Sequence, residues 1–214
     1  MKTPSQVIDG LPADAKVFTT FDAKSGYHML PLAEECRDLT TFISPWGRYR
    51  YKRSPMGMVQ VQDVFDQKID EAFENMDRVR VMREDGIVAA RNVDELLEHT
   101  EEVFKRCRAH GITLNRKKFK MAQGKVHFLG YEISERGVEY DPNKIETIQK
   151  FPRPRDVKEL RSFLGMANQL GGFVRELSMA TNPLRTLLKK KSPFIWNEDH
   201  ETAFNITKAA LLSP

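Results

Sequence analysis

The sequence predicts an α+β protein, with an antiparallel sheet packed on helices over residues 1–140 and a small helical module after it. Three observations carry that expectation. Short alternating or β-branched runs interleave with runs whose apolar positions recur at helical spacing, up to about Tyr140. Asp85-Gly86 stands between two strand-like runs, Val79 to Val81 and Ile87 to Ala90, and reads as a tight hairpin. Beyond the rigid break Phe151-Pro152-Arg153-Pro154, helical spacing dominates.

The elements follow in order. Met1 to Lys16 reads as loop plus a short helix punctuated by Pro4, Gly10 and Pro12. Val17 to Phe21 is β-branched and aromatic, a strand ending at Asp22, after which Ser25-Gly26 supplies a bend. Thr40 to Ile43 and Arg48 to Lys52 pair around Ser44-Pro45-Trp46-Gly47. Val61, Val64, Phe65, Ile69 and Phe73 share a helical face. The hairpin follows, then a helix with Val93, Leu96, Leu97, Val103, Phe104 and Cys107 inward, closing near Gly111. Ile112 to Leu114 and Val126 to Ile133 read as strands. Asp141-Pro142 opens a helix; Val157, Leu160, Phe163, Leu164 and Ala167 line the next. Asn182-Pro183 starts another that ends in Lys189-Lys190-Lys191, Ser192 to Trp196 is a strand or loop, and Ala203, Phe204, Ile206 and Leu211 mark a last helix.

Composition bounds the function. With 40% hydrophobic and 30% charged residues the 214-residue chain has enough apolar surface for a core, which excludes global disorder. A net charge of +4 permits a nucleic-acid partner without demanding one. Cys36 and Cys107 are too few for a disulfide scaffold or a four-cysteine zinc site and fit a reducing, intracellular setting in cytoplasm or nucleus. No apolar run reaches membrane-spanning length, so no membrane partner is expected.

The chemistry is expected at the hairpin. Glu84 and Asp85 would sit at its tip, and an acidic turn by itself is more often solvated than metal-bound. It gains meaning if Asp22, at the end of a neighbouring strand, points at the same place. Hard divalent cations take carboxylate oxygens, water and substrate phosphates, and two such ions side by side serve an in-line phosphoryl displacement.

Asp22-Ala23-Lys24-Ser25-Gly26-Tyr27-His28 resembles the D-x-K-S-G-Y-H stretch of gypsy-type retrotransposon reverse transcriptases. In the same order, Leu39 to Phe42 with Ser44 to Tyr49, continuing through Arg53, Pro55, Gly57 and Met58, resembles that family's next block. Leu114-Asn115 with Lys118 resembles its L-N-x-x-K motif, and Phe128-Leu129-Gly130 its F-L-G element. Val157 to Gly165 is close to letter-perfect for the segment after the polymerase core, and Phe194, Trp196, His200, Ala203 and Phe204 resemble the entry to an RNase H domain. Collinearity over nearly the whole chain is more specific than any one motif.

The resemblance implies a polymerase palm over residues 1–140, a helical thumb or connection over 141–191, and the truncated start of an RNase H-like domain over 192–214. It implies two-metal nucleotidyl transfer by an RNA-directed DNA polymerase, with Asp22, Glu84 and Asp85 holding Mg2+ or Mn2+ and Lys118 at the departing pyrophosphate. Tyr27 would lie under the incoming sugar, with Met56 and Gly57 lining the nucleotide pocket. Phe128, Leu129 and Gly130 would grip the primer end, and Arg153, Arg155, Lys158 and Arg161 would hold the duplex backbone. The implied partners are an RNA or DNA template-primer, deoxynucleoside triphosphates and other domains of a pol polyprotein.

The chain also departs from the family pattern. Its Y-x-D-D motif reads Met82-Arg83-Glu84-Asp85, which moves one carboxylate out by a methylene. Where a metal must hold position within about half an ångström, such a displacement costs orders of magnitude in rate. Val59-Gln60-Val61-Gln62-Asp63 replaces the usual small, Ala-Pro-containing run, Gly86 replaces a branched apolar residue, and the fingers are largely missing. The alternative expectation is therefore a degenerate retroelement remnant limited to binding nucleic acid. An unrelated nucleic-acid-binding module with a metal-free acidic turn is a third, which the collinear motifs oppose.

Overall fold

A computed structural model describes residues 2–170, 177–189 and 194–212, and the chain forms two compact units, Met1–Glu139 and Tyr140–Pro214. The first contains α1 (Pro4–Asp9), β1 (Val17–Asp22), α2 (Glu34–Arg37), β2 (Phe42–Ser44), β3 (Gly47–Tyr49) and α3 (Val61–Ala72). It continues with β4 (Val79–Met82), β5 (Asp85–Ala90), α4 (Val93–Ala109), β6 (Lys120–Gln123), β7 (Lys125–Phe128), β8 (Tyr131–Ser134) and β9 (Gly137–Tyr140), whose last residue opens the second unit.

The central sheet runs β4-β5-β1-β6, with β1 antiparallel to both of its neighbours. β1 and β5 are its inner strands, so five consecutive residues of each are buried, Phe18 to Asp22 and Gly86 to Ala90. A strand covered on both faces reads as a continuous run rather than an alternation. Phe65 and Ile69 of α3 and Leu96, Val103 and Cys107 of α4 pack with Phe21, Val79 and Val88 in one core. Burial pushes the Cys107 thiol up to about 11, which makes it an inert core residue.

An ion-pair cluster ties the ends of these elements together. Asn92 caps α4 by accepting the Glu95 N–H at 2.9 Å, and Glu95 takes the Arg91 backbone N–H at 2.8 Å and Arg78 Nε at 3.1 Å. Arg78 also pairs with Asp14. Arg91, through side chain and backbone, holds the Glu95 carboxyl down to about 2. Because the folded value lies below the unfolded one, this stabilisation is complete above about pH 4.5 and is lost as pH falls towards 2. Glu95→Gln is expected to flatten that acid limb in a series of pH-dependent melts, leaving the neutral-pH fold in place.

The structure corrects several expected boundaries. The hairpin turn is not Asp85-Gly86: Met82 pairs with Asp85, so the turn is Arg83-Glu84, and Asp85 and Gly86 lie inside β5. Arg83 has φ 57°, a left-handed backbone within that turn. Gly86 serves a different need. It pairs with Phe21, whose ring would stand 2.2 Å from any Cβ placed there. Ile112 to Leu114 is not a strand but a single bridge, Leu114 to Ala23. Val126 to Ile133 is two strands around the turn Leu129-Gly130, with Phe128 paired to Tyr131. β6 had no periodic signal because all four of its residues are exposed.

The second unit holds α5 (Pro142–Gln149), α6 (Val157–Leu170), α7 (Leu177–Thr186) and α8 (Glu198–Leu212). Asn182-Pro183 does not open a helix; α7 is already running from Leu177 with Pro183 inside it. Thr181 Oγ1 donates to the Leu177 carbonyl at 2.9 Å within that turn. Leu160 and Phe163 of α6, Leu184 of α7, and Ala203 and Phe204 of α8 share one core, with Phe163 and Phe204 rings 4.6 Å apart. Residues 194–212 therefore pack in the same unit as the helices before them. Lys190 and Lys191 of the basic run, with Ser192 and Pro193, lie outside the described residues. Among the described residues no helix is long and apolar enough to cross a membrane.

Candidate active site

The pairing of β1 with β5 puts Asp22 directly opposite Asp85. Beyond that pair the chains stay joined, the Ala23 N–H donating to the Glu84 carbonyl at 2.7 Å. On the other flank the segment after α4 docks along the end of β1. The Lys24 N–H donates to the Thr113 carbonyl at 2.7 Å and the Asn115 N–H to the Asp22 carbonyl at 2.8 Å. Asn115 then makes a local turn, its side-chain oxygen accepting the Lys117 N–H at 3.2 Å and its carbonyl the Lys118 N–H at 3.1 Å. That turn returns Lys118 to the site, where Nζ bonds Asp22 Oδ2 at 2.6 Å, while Asn115 Nδ2 reaches Asp22 Oδ1 at 3.4 Å.

Glu84 behaves differently from the two aspartates. Its Oε1 accepts the backbone N–H of Gly26 at 2.9 Å, at the start of the short 3-10 turn Gly26–Met29. The extra methylene ties the carboxylate to the turn that carries Tyr27. Among the described residues no three His, Cys, Asp or Glu side chains are gathered closely enough to hold a metal ion. Asp22 and Asp85 form the pair; Glu84 stands beside it, bonded elsewhere.

The electrostatics are those of carboxylates crowded together. The protein packed around Asp85 raises its carboxyl above the usual range, although the residue still opens to solvent. Asp22 and Glu84 add to that rise, and the Lys118 charge opposes it. The hydrogen bond to Asp22 in turn raises the Lys118 ammonium. Lys118 is mostly exposed and Asp22 is buried, so the lysine is a solvent-facing counter-charge on a buried acid. Two carboxylates in this state suit a hard divalent cation, whose remaining positions go to water and phosphate oxygens.

The remaining expected site residues are distributed as follows. Tyr27 is half-buried, its ring edge on Phe65 with centroids 5.7 Å apart. Met56 is exposed and Gly57 has φ 94°, in the loop that leads to α3. Phe128 is buried, and Leu129 and Gly130, with φ 50° and 88°, form a tight turn with both residues left-handed. In the second unit, Arg153 lies over the Trp196 ring at 5.3 Å and the Arg155 N–H donates to Glu159 at 2.8 Å. Lys158 and Arg161 are exposed on α6, away from its Leu160 and Phe163 face.

Residues 6–133 match the family model described as reverse transcriptase (RNA-dependent DNA polymerase). The chain belongs to the reverse transcriptase family. It is 31% identical over 212 residues to the retrovirus-related Pol polyprotein from transposon gypsy of Drosophila melanogaster, covering 93% of this chain and 20% of that one. The enzymatic polyprotein of cauliflower mosaic virus (strain D/H) is 33% identical over 192 residues, covering 86% of this chain and 28% of the relative. The chain thus spans less than a third of these relatives' length. The foamy viral protease-reverse transcriptase in complex with double-stranded DNA superposes with a TM-score of 0.87 at 24% identity, covering 99% of this chain and 38% of that one. These relatives support a gypsy-type retrotransposon reverse transcriptase with an α+β polymerase fold, and the family as a whole uses divalent metal ions.

A second surface of this chain carries rings rather than acids. On the β2–β3 hairpin Phe42 stacks with Tyr49 at 6.0 Å and meets Tyr51 at 5.5 Å, and Tyr51 stacks on His28 at 6.2 Å. Arg48, Arg50 and Lys52 alternate with these tyrosines and are exposed. Aromatic rings interleaved with cations suit unpaired bases and their phosphates. The alternation Arg48-Tyr49-Arg50-Tyr51-Lys52 was the available signal; the ladder itself needs the fold.

Proposed function

We propose that this chain carries the nucleotidyl-transfer centre of an RNA-directed DNA polymerase of a retroelement, working in a reducing, intracellular compartment on a template-primer and deoxynucleoside triphosphates. The observation that carries the reading is the register of Asp22 against Asp85, with Lys118 bonded to Asp22. Asp22 and Asp85 would hold Mg2+ or Mn2+. Once bound, the ion supplies positive charge where the primer hydroxyl attacks and pyrophosphate leaves. Lys118, freed from Asp22, turns its ammonium to the departing pyrophosphate and provides a proton. Tyr27 lies under the incoming sugar, and Met56 and Gly57 line the nucleotide pocket.

The polymer is gripped elsewhere. The stacked rings of β2 and β3 take the unpaired template, Phe128, Leu129 and Gly130 the primer end, and Arg153, Arg155, Lys158 and Arg161 the duplex backbone. Foamy viral relatives bound to double-stranded DNA and to an RNA/DNA hybrid support this choice of partner. Other domains of a pol polyprotein, an RNase H domain among them, would flank the chain.

The test is primer extension on an RNA template with Mg2+ or Mn2+, with Asp22→Asn and Asp85→Asn as controls. Extension lost in both variants supports the reading. A second reading, a remnant that binds without chemistry, draws on Glu84, which stands where the family has an aspartate and is bonded to Gly26. No extension under any condition, with template-primer still retained, favours it. A Glu84→Asp variant gaining activity would assign the defect to that methylene.

Lys118 offers a check that needs no turnover. If its ammonium and a divalent ion share Asp22, Lys118→Met melts below wild type in chelator and gains more from added Mn2+. Equal Mn2+ shifts in the two proteins would count against the shared seat.

A further inference from the structure

The residue under the incoming sugar is braced from three sides. At its base, the Gly26 N–H is bonded to Glu84 at 2.9 Å, and a Cβ on Gly26 would come 2.5 Å from the Phe65 ring. Against its ring, Phe65 packs edge-on at 85°. At its tip, the Tyr27 hydroxyl donates to Gln62 Oε1, and Gln62 Nε2 donates to Asp66 Oδ1 at 2.7 Å. Gln62 and Asp66 are one turn apart on α3, so the helix itself holds the acceptor in place.

Gln62 falls in the run that departs from the family's Ala-Pro-containing pattern. A proline side chain has no acceptor, and this bond is absent wherever proline stands. A ring that selects sugars by contact works only as well as its position is held, because a shift of about half an ångström makes room for an extra hydroxyl.

We propose that Gln62 is a positioning residue that sets how strictly this chain discriminates between 2′-deoxy and ribonucleotides, by fixing the Tyr27 hydroxyl. The inference rests on the reading of Tyr27 as the residue beneath the sugar. Releasing the hydroxyl removes one hydrogen bond, whose net strength limits the loss of discrimination to about fivefold.

The test uses the full chain on a template-primer whose primer lacks a 3′-hydroxyl, so no chemistry is required. Retention of the complex is titrated with the matched deoxynucleoside triphosphate and with its ribo counterpart. Gln62→Ala is expected to reduce the deoxy-to-ribo affinity ratio about fivefold. Gln62→Pro should do the same, since position 62 lies in the first turn of α3, where proline is tolerated. Tyr27→Phe breaks the same bond from the other end, so the double variant Tyr27→Phe/Gln62→Ala should lose no more than either single one. A ratio unchanged in both Gln62 variants, or additive losses in the double variant, overturns the inference while leaving the polymerase reading intact. A wild-type complex indifferent to any triphosphate overturns both.

Discussion

Asp85→Asn is expected to cost at least about 10³-fold in primer extension and to melt no lower than wild type. The loss follows from its place opposite Asp22, at the only paired carboxylates that the two inner strands bring together among the described residues. The stability follows from its surroundings. Crowding by protein, Asp22 and Glu84 raises its carboxyl, so ionisation at this position opposes folding. The folded state holds the proton to a higher pH than the unfolded chain. The group's contribution is therefore most favourable below the ordinary carboxylate range and declines as pH rises through the raised folded value. The Asn variant lacks that decline. Asp22→Asn is the informative contrast: it also removes extension, but it breaks the bond to Lys118 and should melt lower. Both variants retaining wild-type extension would remove the chemistry from this pair, and an Asp85→Asn protein that melts well below wild type would refute the crowding argument.

Gly86→Ala is expected to destabilise the fold by about 2–3 kcal/mol, the scale of an overpacked core. The added methyl would meet the Phe21 ring at 2.2 Å, and the ring has little room to yield because Phe21 is buried and tilted against Phe73 at 5.8 Å. The same displacement disturbs the neighbouring pair of the ladder, Asp22 with Asp85, so activity should fall with stability. Combining it with Phe21→Leu should recover about 1 kcal/mol or more relative to the sum of the single variants, since the two side chains compete for one space. Strict additivity in urea melts would show that the clash is relieved elsewhere.

How much of this was legible beforehand depended on the kind of signal. Strands and helices with a buried face announced themselves, Val17 to Phe21 by residue type and α3, α4 and α6 by apolar spacing. The expected inward faces were too wide: Val64 of α3 and Val93, Leu97 and Phe104 of α4 are exposed, because spacing gives a face and not how far its neighbours cover it. The Asp85-Gly86 dipeptide misled because a glycine in a turn and a glycine beneath an aromatic ring look alike in one dimension. β6 was invisible because an exposed strand needs no alternation. Pro183 was read as a helix start because its effect on a helix depends on what the preceding turn has already formed. At the site, Asp22, Asp85 and Lys118 were named from the chain and are adjacent in space. Glu84 was grouped with them, yet its carboxylate is bonded to Gly26, a contact that depends on how far one extra methylene reaches. In the chain Gln62 is only a departure from the family pattern; that it accepts the Tyr27 hydroxyl is visible only in the fold.

By itself the chain determined the α+β class and most of the helices and inner strands, and it singled out Asp22, Glu84 and Asp85 as candidate acids, because periodicity, turn chemistry and collinear motifs are local properties carried along the backbone. Register was decided only in three dimensions. Whether Asp22 faces Asp85, and which partner each carboxylate finds, depends on a glycine that admits the Phe21 ring and on an asparagine turn that returns Lys118 from 96 residues away. Those are contacts between distant segments, and their energies exist only once the sheet has closed.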